Sequence, residues 1–312
     1  MSKIAYLFPG QGSQFAGMGK ALAAEYPVAK QTFEEADQAL GFALSTLCFE
    51  GPEDQLRLTE NTQPAILTTS IAAYRVLQSL NYQPPDYVAG HSLGEYSALV
   101  AAGCLAFTDA VRLVRNRGRY MQEAVPAGVG AMAALLKMPL DKLDAVLSEA
   151  AQGEVVSAAN LNSPDQVVIA GHAAAVNRAA ELAKAAGAKR AVLLPVSAPF
   201  HCALMKPAQD ALAKDLDSTL FADLTVPLIN NWQARETRLG SEAREGLFQQ
   251  VPNPVRWSDT IRYLASQGVT RAIEVGPGAV LCGLVKNIDG TISTAKFGEP
   301  ADLAKLTPAA TA

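Results

Sequence analysis

The sequence predicts an α/β protein in two pieces: a larger domain on a central, mainly parallel sheet, and a small unit inserted into it. Short β-branched or apolar runs alternate with Ala-rich helical stretches, the pattern of a parallel sheet covered on both faces. Candidate buried strands at Ile4–Phe8, Tyr87–Ala89 and Ala272–Val275 each end in a glycine-containing turn followed by a helix. The middle of the chain breaks this alternation by placing two strands side by side between helices. At 312 residues the chain exceeds the usual size of one domain and can bury about three quarters of its unfolded surface.

In chain order, Ile4–Phe8 leads into a loop, and Tyr87–Ala89 into a helix over Gly94–Ala102, with a further helix from Asp109 to about Met121. The middle reads as strand Gly130–Lys137, helix Leu140–Ala151, strands Val155–Asn160 and Gln166–Ala170, helix Ala173–Ala186 and strand Arg190–Pro195. That βαββαβ order matches the ferredoxin-like split βαβ unit and sets the small subdomain at 127–197. Residues 1–126 and 198–312 then form the larger, hydrolase-like α/β domain. Ligands of open α/β sheets collect at the carboxyl ends of the strands, so the site is expected there, in the cleft between the two units. No internal repeat occurs, and Thr307–Ala312 is expected to fray.

A hydrophobic content of 49%, a charged content of 18% and a net charge of −4 describe an ordinary globular enzyme rather than a disordered chain. Net acidity argues against nucleic acid, whose binding requires neutralised phosphates, and an anionic partner must meet a local basic patch. Cys48, Cys104, Cys202 and Cys282 are widely spaced, with neither a C-x-x-C pair nor a zinc-type Cys/His cluster, which suits a reducing compartment. The apolar segment at the amino terminus is too brief for a signal peptide, and no run approaches the ~20 apolar residues of a spanning helix. A cytoplasmic protein that does not meet the membrane is expected.

Gly90-His91-Ser92-Leu93-Gly94 fits G-x-S-x-G between a strand and a helix. A sharp strand-to-helix turn exposes the serine hydroxyl, and the flanking glycines let neighbouring backbone pass without a Cβ clash. The N–H of Leu93, at the helix start, would point toward a developing oxyanion. A nucleophilic serine needs a base, and the chain has three histidines. His91 adjoins the serine, but side chains diverge at a tight elbow and it is expected to support the turn from behind. His172 falls at the start of a helix, where a capping or solvated role is expected. His201 remains, after the irregular segment Pro195-Val-Ser-Ala-Pro199-Phe200 where the chain crosses back to the larger domain; the alternative is a loop histidine without chemistry. No Asp or Glu lies in an obvious turn close to His201, so a backbone carbonyl could orient it, unlike the Ser, acid, His order of α/β-hydrolases. Nothing near Cys202 explains a lowered thiol pKa, and it is assigned to packing.

On the helix from Asp109, Arg112, Arg115 and Arg119 share one face, while Arg117 falls among Leu113, Val114 and Met121 on the opposite, apolar one. A buried guanidinium demands a partner, and its planar fork suits a carboxylate, either an internal Asp or Glu or that of a substrate. In the loop Phe8-Pro9-Gly10-Gln11-Gly12-Ser13-Gln14, Gly10 and Gly12 begin a G-x-G-x-x-G that Phe15 breaks, and no G-x-x-x-x-G-K-[ST] follows. The loop is either an ordinary βα turn or the carrier of a second oxyanion donor, the N–H of Gln11.

Phe-Pro-Gly-Gln-Gly-Ser-Gln at 8–14, Gly-His-Ser-Leu-Gly-Glu at 90–95, Gly-Val-Gly-Ala-Met at 128–132, Pro-Phe-His at 199–201 and Glu-Val-Gly-Pro-Gly at 274–278 together resemble the malonyl-CoA:acyl carrier protein transacylases, in order from about residue 3 to 290. The resemblance implies Ser92 as nucleophile, His201 as base, the N–H groups of Gln11 and Leu93 as oxyanion hole, and Arg117 as clamp on the malonyl carboxylate. It further implies that Gln250 orients His201 through its backbone carbonyl. Gln249 is the alternative, and Asn253-Pro254-Val255-Arg256-Trp257 follows at the family's spacing for Gln250. Phe200 before His201 accompanies malonyl selectivity in many relatives. A ping-pong transfer from malonyl-CoA to acyl carrier protein follows, in fatty-acid or polyketide synthesis, with no metal and no cofactor besides the coenzyme A that enters as thioester. Acyl carrier proteins are acidic, and Lys184, Lys189, Arg190 and Lys286 are candidate docking cations. The competing classes are a serine hydrolase such as a thioesterase, which would have an acid partner for His201 and no need of Arg117, and a non-catalytic acyl-group sensor or scaffold.

Overall fold

The computed structural model describes residues 2–126, 128–196 and 198–306. Ala127 and Ser197, the expected bounds of the small unit, and the terminal Thr307–Ala312 lie outside the described residues. The strands are, in order, β1 (Lys3–Phe8), β2 (Tyr87–Gly90), β3 (Gly130–Leu136), β4 (Val156–Ser163), β5 (Gln166–His172), β6 (Arg190–Leu193), β7 (Leu228–Ile229), β8 (Glu236–Thr237), β9 (Val269–Val275) and β10 (Ser293–Phe297). They form a six-stranded sheet in the order β10-β9-β1-β2-β7-β8 and a four-stranded sheet in the order β4-β5-β3-β6. All neighbours in the larger sheet are parallel except β7 and β8, while every pairing in the smaller one is antiparallel. The fold is thus α/β, with a mixed, mainly parallel sheet and a small antiparallel one.

β1 and β2 are apolar along nearly their whole length because both faces of the larger sheet are covered. One face carries the Thr59–Ser79 helix, buried over most of its length between the sheet and the Phe107–Glu123 helix. The other packs Ala5, Leu7 and Ala89 against Trp257, Ile261 and Leu281. The small sheet has its own core, in which Ala133, Leu135 and Ile169 meet Leu143, Val146, Val176 and Ala179 of the helices Leu143–Ala151 and Ala173–Ala185. Backbone ties the small sheet to the loop before the Trp257–Ser266 helix: Val255 N–H donates to Ala159 O of β4 at 2.9 Å, and Leu161 N–H returns the bond to Val255 O at 2.9 Å.

Several expected elements end differently, β4 running on to Ser163 and β5 to His172 among them. The helix expected from Leu140 begins as a 3-10 turn, Leu140–Lys142, and becomes α-helical only at Leu143. The strand expected to reach Pro195 stops at Leu193, short of a residue that lacks an N–H for the ladder. β7 and β8, with two residues each, are too short to show a period-2 pattern in sequence.

β1 and β2 deliver their carboxyl ends to the same point because glycines allow backbone contact there. A Cβ on Gly94 would fall 2.0 Å from Phe8 O, and one on Gly90 would fall 1.9 Å from Gly94 O. Gly94→Ala must therefore push β1 and the following helix apart. We expect it to cost about 1–3 kcal/mol, the range of overpacked cores, seen as a lower urea midpoint at unchanged slope. An unchanged midpoint would mean that the Phe8 carbonyl yields freely.

Candidate active site

The turn after β2 carries Ser92 with φ 52°, the left-handed conformation that non-glycine residues adopt only when their surroundings hold them there. Asn231, just past β7, supplies part of that hold. Its Oδ1 accepts the Ser92 N–H at 2.7 Å and its Nδ2 donates to Gly90 O at 2.7 Å, so one side chain braces both sides of the elbow. The helix Gly94–Ala101 starts immediately afterwards, with the side chain of Leu93 buried at its first turn.

His201 is also left-handed, φ 58°, and buried, which turns its ring from the segment after Phe200 into the cleft. Its Nε2 lies 2.7 Å from Ser92 Oγ and its Nδ1 2.9 Å from the backbone carbonyl of Gln250. A carbonyl only accepts, so Nδ1 carries the proton and Nε2 presents its lone pair to the Ser92 hydroxyl. Burial, reinforced by the nearby Arg117 charge, lowers the imidazole pKa to about 3. The ring is therefore neutral, as a base must be.

Arg117 is 2% exposed, on the inward face of the Phe107–Glu123 helix. No internal carboxylate among the described residues hydrogen-bonds it: its direct partners are uncharged oxygens. Nη1 donates to Gln63 Oε1 at 2.7 Å; Nη2 donates to Gln250 Oε1 at 2.8 Å and to Ser92 Oγ at 3.1 Å. The guanidinium also lies 5.5 Å from the centre of the Tyr96 ring. Because Arg117 only donates, its bond to Oγ leaves the Ser92 proton free for His201.

A cavity of about 500 Å³ opens over these groups, lined among others by Gln11, His91, Ser92, Arg117, Phe200 and His201. Gln11 sits in the exposed loop after β1, on the cavity wall. Gln250 reaches the site with both its carbonyl and its side chain, whereas Gln249 turns outward to Glu245. His91 lines the cavity rather than standing behind the turn, with Nε2 2.8 Å from Asn162 Oδ1 of β4 and its ring against Trp257. His172 closes β5 and accepts the Val155 N–H at 2.9 Å; it stands at the N-cap of the following helix, without a capping bond from its side chain. Cys202 donates to Pro199 O, and burial pushes its thiol up to about 11, so it is no thiolate.

Sequence reasoning missed Gln63, Asn231, Asn162 and Glu95. Glu95 alone had a local signal, its place in the Gly90–Glu95 motif. Its carboxylate is fully buried and accepts from Asn231 N–H at 3.0 Å and Gln250 Nε2 at 2.8 Å. Burial raises its pKa to about 7 against the lowering by those donors and by Arg117. Of the candidate docking cations, Lys184 pairs with Glu181, whereas Lys189 and Arg190 border a groove that also holds Lys137 and Asn287, the neighbour of exposed Lys286.

The sequence model of the acyl transferase domain family matches residues 5–306. The chain is 52% identical over 304 residues to the malonyl CoA-acyl carrier protein transacylase of Escherichia coli (strain K12), covering 97% of this chain and 98% of that protein. Among solved structures it resembles an acyl carrier protein S-malonyltransferase from Vibrio cholerae O1 biovar eltor, with TM-score 0.96, 49% identity and coverage of 98% and 100%. It is also similar to a malonyl-transacylase in complex with its type II PKS acyl-carrier protein, with TM-score 0.95, 48% identity and coverage of 97% and 98%.

The depressed His201 pKa fixes the sign of the acid response. An ordinary imidazole near 6.5 is about nine-tenths protonated at roughly pH 5.5, which would cut a base-assisted rate about tenfold. With its pKa lowered to about 3, His201 stays neutral there, so acylation of Ser92 by p-nitrophenyl acetate should hold within about twofold between roughly pH 7.5 and 5.5. A tenfold fall would show an unperturbed histidine.

Proposed function

The chain belongs to the acyl transferase domain family and, within it, to the malonyl-CoA:acyl carrier protein transacylases; from that membership and the site geometry we propose how it works. It transfers a malonyl group from malonyl-CoA to the phosphopantetheine thiol of acyl carrier protein, by a ping-pong mechanism through a Ser92 ester, in fatty-acid or polyketide synthesis. The observation that carries this reading is the convergence on Ser92 Oγ of a neutral base, His201 at 2.7 Å, and a buried cation, Arg117 at 3.1 Å. A hydrolase acting on neutral esters would have no use for that cation.

His201 Nε2 takes the Ser92 proton as Oγ attacks the thioester carbon, and the charge passes to the carbonyl oxygen. The N–H groups of Gln11 and Leu93 receive it, the first from the cavity wall and the second from the helix start. The C–S bond breaks, and the leaving thiolate takes the proton from His201. The carrier's thiol then gives its proton to His201, attacks the ester, and Ser92 recovers the proton as malonyl departs. Gln250 holds the imidazole in its Nδ1-protonated form throughout. Arg117 exchanges an amide partner for the malonyl carboxylate, a bidentate match for its fork. The reaction consumes no cofactor.

The antiparallel order β4-β5-β3-β6 with two helices supports reading 127–197 as a ferredoxin-like unit on a hydrolase-like domain. The Lys189–Arg190 groove with Lys286 beside it supports an acidic carrier as partner. Among the described residues no helix is long and apolar enough to cross a membrane, and we place the reaction in the cytoplasm.

Incubation with malonyl-CoA alone, digestion and mass spectrometry should find malonyl on the peptide containing Ser92, discharged by added carrier protein and lost in Ser92→Ala. Free malonate without adduct would make the protein a hydrolase; neither product would make it a binding protein. Arg117→Ala should lower malonyl transfer at least about tenfold more than acetyl transfer, since only malonyl loses a charge-assisted pair. Equal losses would leave Arg117 a structural residue.

A further inference from the structure

We propose that Glu95 is a positioning residue whose carboxylate, through the side-chain amide of Gln250, sets the orientation of the Arg117 guanidinium and steadies the residue whose carbonyl orients His201. The proposal rests on the transacylase reading for the role of Arg117, and on geometry alone for the rest. Glu95 touches neither Ser92 Oγ nor His201 and has no proton or bond to handle in the transfer. It is nevertheless a fully buried acid at the second position of the helix behind the nucleophile. Buried carboxylates are costly, and this one spends its Oε2 on two donors from other parts of the chain, Asn231 N–H and Gln250 Nε2.

Gln250 is the node. Its Nε2 faces three acceptors: Glu95 Oε2 at 2.8 Å, Ser92 O at 3.0 Å and Asn231 Oδ1 at 3.3 Å. Each of the three also accepts a main-chain N–H, Ser92 O that of Glu95, Asn231 Oδ1 that of Ser92 and Glu95 Oε2 that of Asn231, so distance separates them, and the bond to Glu95 is the shortest. The short bond to Glu95 is therefore the one that decides which end of the amide points where. With Nε2 turned to Glu95, Oε1 faces Arg117 Nη2 at 2.8 Å. A reversed amide would set NH₂ against guanidinium, donor against donor, and push Nη2 off Ser92 Oγ. The same residue offers its main-chain carbonyl to His201 Nδ1, so clamp and base share one support.

Two conservative variants separate acceptor geometry from charge. Glu95→Gln keeps the length and an acceptor oxygen but drops the charge; Glu95→Asp keeps the charge and withdraws the acceptor by one methylene. Acyl-enzyme formation from malonyl-CoA and from acetyl-CoA is measured for each, with thermal unfolding as a control. Glu95→Asp should reduce the malonyl-over-acetyl preference about tenfold, whereas Glu95→Gln should keep it within about threefold. A merely structural role would slow both substrates alike and leave the ratio unchanged, overturning the proposal. So would a Glu95→Gln variant as indiscriminate as Glu95→Asp, which would assign the effect to charge. If Glu95→Asp does not fold, Glu95→Met, which fills the volume without an acceptor, takes its place with the same expectation. Should the unsubstituted protein form no malonyl-enzyme, the transacylase reading fails by itself. Acylation of Ser92 by p-nitrophenyl acetate then still tests the His201 half, with Glu95→Asp slower and Glu95→Gln unchanged; equal rates would overturn that half.

Discussion

A full positive charge sealed from water is the constraint around which the site is arranged. The Arg117 guanidinium lies on a helix face that otherwise belongs to the core, and leaving it unanswered would cost several kcal/mol. Internal ion pairing would neutralise it and remove its capacity to bind an anion. The chain takes a middle course with amide oxygens from Gln63 and Gln250, which accept from Nη1 and Nη2 without cancelling charge, while Nε has no hydrogen-bond partner among the described residues. The carboxylate of Glu95 stands one amide away, close enough to moderate the field yet not in contact. The neutrality of His201 follows in part from the same charge.

The second constraint is steric. Ser92, His201 and Arg117 come from different elements of the chain and meet only because backbone segments approach without side chains between them. Gly10 lies so close to the elbow that a Cβ on it would fall 2.3 Å from His91 O, and Gly94 meets Phe8 O in the same way. These contacts weld the first loop to the elbow, so the Gln11 N–H and the Ser92 hydroxyl sit on a single rigid piece of the molecule.

Ser92 was legible because its motif is local and its spacing mechanical. His201 emerged by elimination among only three histidines, and Arg117 from a charge on the wrong face of a helix. Gln250 could be reached only through family resemblance, since it acts on His201 by a backbone carbonyl, a group every residue has. Gln63 and Asn231 left no trace at all, because amides are common and nothing in their neighbourhoods announces that the Thr59–Ser79 helix and the end of β7 would converge on the elbow. Glu95 was visible as a letter, but its burial is a property of the packed sheet. In the fold, strands with strong apolar runs were readable, whereas the ends at Leu143 and Leu193 depended on local geometry near Pro139 and Pro195.

β4 touches the catalytic apparatus twice, although it belongs to the small sheet. Asn162 holds His91 next to the nucleophile, and the exchange between Ala159, Leu161 and Val255 anchors the stretch just beyond Gln250. The small sheet is therefore tied to residues on either side of the site. Displacing it would disturb both the neighbour of Ser92 and the stretch beyond the residue that holds His201. The small sheet is thus fastened to the site by main chain at Val255 and by one side-chain pair, Asn162 with His91.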